Sequence, residues 1–171
     1  MCIFVRAWAI GLVLGLLPGP ARADEKRDPT AAMDAAAKVF LKAYHDKDVD
    51  AMMEVADAPF LVGTVRDPKI LAKGADLRDE LKSRLAAGDK LAGKVAKTLT
   101  WDKAIPPAAG GDRQKKTREK MKPAIDVTGP DGGYAALADV KGKGLAVSGT
   151  RLLVGIRDGR AKVVGILVDP K

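Results

Sequence analysis

Apolar residues recur at helical spacing near the start of the chain. Met33, Ala36, Ala37, Phe40 and Tyr44 share one face, and Leu41 widens it. Asp28 and Pro29 supply a capping residue and a first helical position, so the pattern predicts a helix from about Pro29 to Asp46. The stretch HDKD (45–48) breaks that stripe. Asp48 is suited to cap a second helix, with Asp50 in its first turn facing the positive helix end. Val49, Met52, Met53 and Ala56 give this helix one apolar face. Pro59 cannot continue it and turns Ala58 toward extended angles, and Phe60-Leu61-Val62 then reads as a strand.

Asp67-Pro68 marks a turn. Residues 73–89 read as a third helix, with Asp76 as cap, Leu77, Leu81 and Leu85 as its apolar line, and Gly88 as its stop. From Lys90 to Trp101 the alternation of Leu91, Gly93, Val95, Leu99 and Trp101 predicts a strand, with Lys97 as the exception. Residues 105–111 read as a loop. The charged run 112–122 lacks a clean apolar stripe and fits either a solvated helix or a loop. Three strands close the chain, over 133–142, 144–159 and 160–169. Asp158-Gly159 predicts a two-residue hairpin that pairs 151–157 with 160–168. Leu152, Val154 and Ile156 alternate with Leu153, and Val164, Ile166 and Val168 alternate with Val163 and Leu167. A sheet apolar on both faces needs cover on both. Helices suit one face, and a second copy of the chain suits the other, giving a homodimer with Leu153 and Leu167 in its interface. Gly155 and Gly165, inside strands, mark bulges or close backbone approach.

The first residues change the picture of where the protein works. Arg6 precedes an apolar run over 7–17, Pro18, Gly19 and Pro20 break it, and Ala21-Arg22-Ala23 forms a small-x-small cleavage site. This is the layout of a signal peptide over residues 1–23, which predicts a mature N-terminus at Asp24, one domain over 24–171 and a periplasmic or secreted location. Cys2 stands before the apolar run and gives no lipidation signal. Of the 30 Lys and Arg, Arg6 and Arg22 would leave with the peptide, so residues 24–171 carry 28 against 22 Asp and Glu, a net charge of +6. They contain no cysteine, and the chain's one histidine is His45. The mature domain is therefore held by packing alone, and a zinc site has too few ligands. No further run is long enough to predict a transmembrane segment.

The order of elements, carried by FLKAYHDKDVDAMMEVADAPF (40–60) and LLVGIRDGRAKVVGI (152–166), resembles the nuclear-transport-factor-2-like superfamily, with its ketosteroid isomerases and SnoaL-type polyketide cyclases. It is most similar in character to small exported bacterial members without an assigned activity. The resemblance implies an α+β fold: a cone-shaped curved antiparallel sheet packed around a long N-terminal helix and shorter helices, with a pocket at the open end. It transfers no catalytic residue, since the superfamily's enzymes do not map onto this chain position by position.

Candidate chemistry is sparse. Asp139, alternating with Leu137 and Ala135, and His45, beside the acidic corner, are candidates for a general base; Asp126 is another carboxylate to consider. Each also has a plain structural reading: Asp139 as a solvated or cross-strand partner, His45 as a helix-end cation. Asp46, Asp48 and Asp50 lack the glycine and glutamate spacing of a calcium loop, and capping accounts for them. Tyr44, Phe60, Trp101 and Tyr134 are candidates to line an apolar ligand pocket. Arg113, Lys115, Lys116, Arg118, Lys120 and Lys122 form a basic run without interleaved aromatics, which argues against nucleic acid and leaves acidic envelope components as a partner class. No cofactor is implied. Three functions remain open: binding of a small apolar ligand or a partner protein in the cone pocket; an isomerase, cyclase or dehydratase with Asp139 or His45 as base; and attachment to acidic cell-envelope components through residues 113–122.

Overall fold

Helix α1 (Pro29–Asp46) takes the predicted span. Asp28 Oδ1 accepts the Thr30 amide at 3.0 Å, and Lys47 ends the helix in the left-handed region at φ 58°. We describe a computed structural model covering residues 28–106, 111–141 and 144–169; at Arg113, 140–141 and 144–148 it describes the backbone alone. The expected signal peptide, the charged stretch up to Arg27 and residues 107–110 of the expected loop lie outside the described residues.

Asp48 caps helix α2 (Val49–Val55) as predicted, its Oδ1 accepting the Ala51 amide at 3.0 Å. The helix stops earlier than Pro59 requires. Strand β1 (Ala56–Thr64) already begins at Ala56, which pairs with Val163 instead of extending the helix face, and the Ala58–Pro59 peptide is cis. Strand β2 is Pro68–Leu71, and helix α3 is Gly74–Ala86. Asp76 is not the cap of α3. Lys73 is the residue with extended angles before the helix, and Asp76 sits in the first turn, where its charge faces the unsatisfied amides. Leu77 and Leu81 are fully buried, and Gly88 stops the chain at φ 74°.

Strand β3 (Lys94–Thr100) is shorter than the alternation predicts at both ends. Side chains from other elements tie down residues 89–93. Trp101 opens the short helix α4 (Trp101–Ala104), its indole Nε1 donating to Thr128 Oγ1 at 2.6 Å. The charged run is helical. Helix α5 (Asp112–Thr128) continues through Pro123, because Met121, Ala124 and Val127 bury one side of its second half. Strands β4 (Gly133–Lys141), β5 (Gly144–Arg157) and β6 (Arg160–Val168) follow, with Asp158 (φ 49°) and Gly159 (φ 71°) forming the predicted hairpin turn.

The six strands form one sheet in the order β2-β1-β6-β5-β4-β3. It is mixed: β1 runs parallel to β6 and every other pairing is antiparallel. Register shifts interrupt all pairings except β1–β2 and curve the sheet around α1. One of them corrects the predicted faces of β6. Leu153 opposes Gly165 while Val154 opposes Val163, so Val164 is an extra residue. The bulge puts Val163 and Ile166 together on the inner face with Leu152 and Val154, and turns Val164 outward with Leu153 and Leu167. Gly165 is required there, since a Cβ would lie 2.7 Å from the Leu61 carbonyl oxygen.

Two apolar cores result. The inner one packs Met33, Ala37, Phe40 and Tyr44 of α1 and Leu77 and Leu81 of α3 against Ala135, Leu137, Leu152 and Ile166. The outer one packs Met121, Ala124 and Val127 of α5 and Trp101 against Leu61, Leu153, Val164 and Leu167. This overturns the expected dimer surface. Leu153 is fully buried and Leu167 is 2% exposed within a single chain, because α5 covers the face that a second copy was expected to cover. Both faces of the C-terminal hairpin are thus satisfied inside the monomer.

Candidate functional site

The expected four-aromatic pocket does not exist as one site. Tyr44 and Phe60 lie on the inner side, each stacked on Phe40 with centroids 6.3 and 6.5 Å away. Trp101 and Tyr134 lie on the outer side, 5.5 Å apart, with the Arg151 guanidinium 5.4 Å from the Tyr134 ring centre. The sheet separates the two pairs. Phe60 is fully buried core. Trp101 spends its N–H on Thr128, whose hydroxyl lies 2.9 Å from the Ala124 carbonyl oxygen.

Tyr44 is the aromatic that borders open space on the inner side. Together with Leu85 and Leu91 it lines a hollow of ≈ 280 Å³ at the C-terminal end of α1, rimmed by His45, Lys47, Asp89 and Lys90. A second hollow of ≈ 380 Å³ continues along α1 over Leu41 and Val95, rimmed by Lys42, Asp46 and Lys94. His45 lines both.

The wall between α3 and β3, residues 89–93, is fastened from four directions. The Tyr44 hydroxyl donates to the Asp89 carbonyl at 3.5 Å. His45 Nε2 lies 3.2 Å from the Leu91 carbonyl oxygen, a contact that the Nε2–H tautomer makes as a donor. Arg84 pairs with the Asp89 carboxylate at 2.9 Å, and Asp139 Oδ1 accepts the Gly93 amide at 3.0 Å. With these tethers, Leu91 and Ala92 are each only 7% exposed. Burial, and the negative charge of Asp89, push the Tyr44 phenol up to about 12, with Arg84 opposing.

Both candidate bases are therefore fasteners of the same segment. Ala135 and Leu137 do face the inner core, but Asp139 lies beyond its edge, exposed and engaged with a backbone amide. His45 is exposed on the last turn of α1. Asp126 pairs with Lys122 at 2.8 Å on the exposed side of α5. Asp46 pairs with Lys42, Asp50 with Arg78, and Asp48 caps α2, so the acidic corner is structural. Among the described residues no group of His, Cys, Asp or Glu has a metal-holding arrangement. No helix among them is long and apolar enough to cross a membrane.

A further cleft of ≈ 460 Å³ lies on the outer side, over Trp101, Ile125 and Pro130, with Asp102, Arg118, Glu119, Lys122 and Asp131 around it. Lys115, Lys116, Arg118 and Lys120 are exposed along α5. Residue patterns pointed to neither Leu85 nor Leu91 as site residues. Leu85 reads only as the last apolar position of α3 and Leu91 as a strand residue, and the tethers that hold Asp89 and Leu91 to the end of α1 link distant parts of the chain.

No protein-family model and no curated protein matches the chain. Among solved structures it is similar to an NTF-2-like protein of unknown function from Shewanella oneidensis MR-1, at 12% identity and a TM-score of 0.44, over 83% of this chain and 99% of that one. It is also similar to a protein of unknown function with a cystatin-like fold from Nostoc punctiforme PCC 73102, at 11% identity and a TM-score of 0.39, over 79% of this chain and 85% of that one. The helices and the single curved six-stranded sheet described above agree with the α+β class expected from the order of elements.

Proposed function

We propose that this is an exported, non-catalytic binding protein that takes a small apolar ligand in the hollow at the end of α1. The observation that carries the reading is the apolar floor of Tyr44, Leu85 and Leu91 beneath a wall already fixed by tethers, a concave and pre-formed surface of the kind that small molecules occupy. Catalysis of the isomerase type needs a carboxylate desolvated in the pocket. The acids nearby are instead committed: Asp89 to Arg84, Asp46 to Lys42, and Asp139 to Gly93. Export rests on the apolar run 7–17 and the Ala21-Arg22-Ala23 site, and intact-mass analysis of the exported protein should give a chain beginning at Asp24.

A second reading places the ligand in the outer cleft, favoured by its larger volume and by Trp101 and Ile125 in its lining. The neutral fluorophore N-phenyl-1-naphthylamine separates the two. Its emission should rise on binding to the unmodified protein. The rise should be lost in Leu85→Glu and kept in Ile125→Glu. The opposite pattern moves the site to the outer cleft, and no rise in the unmodified protein removes the ligand-binding reading.

A further inference from the structure

We infer that the ligand is an amphipathic anion: an apolar tail carrying a single carboxylate or comparable acid group. The inference rests on the reading that the α1-end hollow binds a small molecule, and it adds the sign of that molecule's charge. The floor suits an apolar group, since Tyr44, Leu85, Leu91 and, further along, Leu41 and Val95 supply much of its surface. The rim is cationic and unevenly compensated. Lys42 is matched by Asp46 and Lys38 by Asp34. Asp89, the acid on the rim of the first hollow, is held by Arg84. Lys47, Lys90 and Lys94 are exposed, and none has an acidic partner within salt-bridge distance among the described residues.

Three such ammonium groups around two adjoining hollows set up a positive potential over an apolar surface. A neutral apolar ligand leaves that potential unused. An anion with a short tail uses both features: its tail covers the leucines while its acid group stays at the rim, where the lysines reach it through water or directly. The backbone of Lys47 closes α1 in the left-handed conformation, beside the carbonyl end of the helix. The same surface chemistry is offered by a free fatty acid and by the face of an anionic membrane. The concavity of the hollow favours the free molecule.

The test is calorimetric titration of the exported chain at low salt with decanoate, decanol and vesicles of phosphatidylglycerol. Decanoate should bind about tenfold more tightly than decanol, as expected for a few exposed charge contacts, and the ratio should shrink in high salt. In a Lys47→Asn, Lys90→Gln, Lys94→Gln variant with an unaltered melting curve, the ratio should fall to about one. Asn is chosen at 47 because it tolerates positive φ. Equal binding of decanoate and decanol by the unmodified protein overturns the charge preference and leaves the hollow as an apolar site. Binding of neither ligand overturns the site itself. A ratio unchanged in the triple variant removes the three lysines from the role, and binding to vesicles without binding of decanoate replaces the free anion with a membrane surface.

Discussion

The Asp139 carboxylate and the Gly93 amide meet at 3.0 Å, joining strand β4 to the segment that leads into β3. A residue placed like a buried base thus spends its charge on the main chain. Replacing Asp139 by Ala should free residues 89–93 at one end and lower stability by about 1 kcal/mol, the usual worth of such a bond. Asp139→Asn keeps an acceptor oxygen and should lose less. Urea denaturation midpoints decide it; a base would instead show equal stability and a lost activity in both variants.

Asp48 is the comparable fastener at the acidic corner. Its Oδ1 holds the Ala51 amide at 3.0 Å, so Asp48→Ala should lower stability by about 0.5–2 kcal/mol and leave ligand binding per folded molecule unchanged. Melting curves with and without bound probe separate the two effects.

Leu153 should behave as core and not as an interface. Truncation to Ala, at a fully buried position facing α5, should cost about 2–5 kcal/mol. A charged residue there should unfold the chain instead of yielding a well-folded monomer. Denaturation by urea, followed by far-ultraviolet circular dichroism, reports the difference.

Tyr44 makes stability depend on alkaline pH. Its phenol is raised in the folded state to about 12 from an ordinary 10.0. Below pH 10 both states hold the proton and the contribution is complete. Between about 10 and 12 the unfolded chain gives it up first, so stability falls as pH rises. In Tyr44→Phe the fall over that window should be shallower, measured as the denaturation midpoint at successive pH values in a Tyr134→Phe background.

The sequence makes some of this legible because the controlling chemistry is local. Asp28 and Asp48 sit beside the amides they cap, and Asp158-Gly159 carries its own turn geometry. Helix α5 is hidden because its first nine residues are charged or polar and its packing positions, Met121, Ala124 and Val127, gain meaning only against the outer face of the sheet. The faces of β6 are only half legible: Gly165 marks a bulge or close backbone approach, but not that its neighbour Val164 is the extra residue that reverses the alternation. The site depends on both effects. Tyr44 and Trp101 look equivalent as buried aromatics, yet they belong to opposite sides of the sheet, and Leu85 and Leu91 meet Tyr44 through packing and tethers that join residues some 45 positions apart.

Strand β6, made after all the others, lies between β1 and β5. Until it is synthesised, β2–β1 and β5–β4–β3 are two half-sheets with no seam, and both apolar cores stay open. The sheet cannot close until β6 has been made, and contacts such as Leu61 with Gly165 must form between residues far apart in the chain, a slow kind of search. The keystone of the sheet arrives last, so neither half-sheet upstream can lock before it.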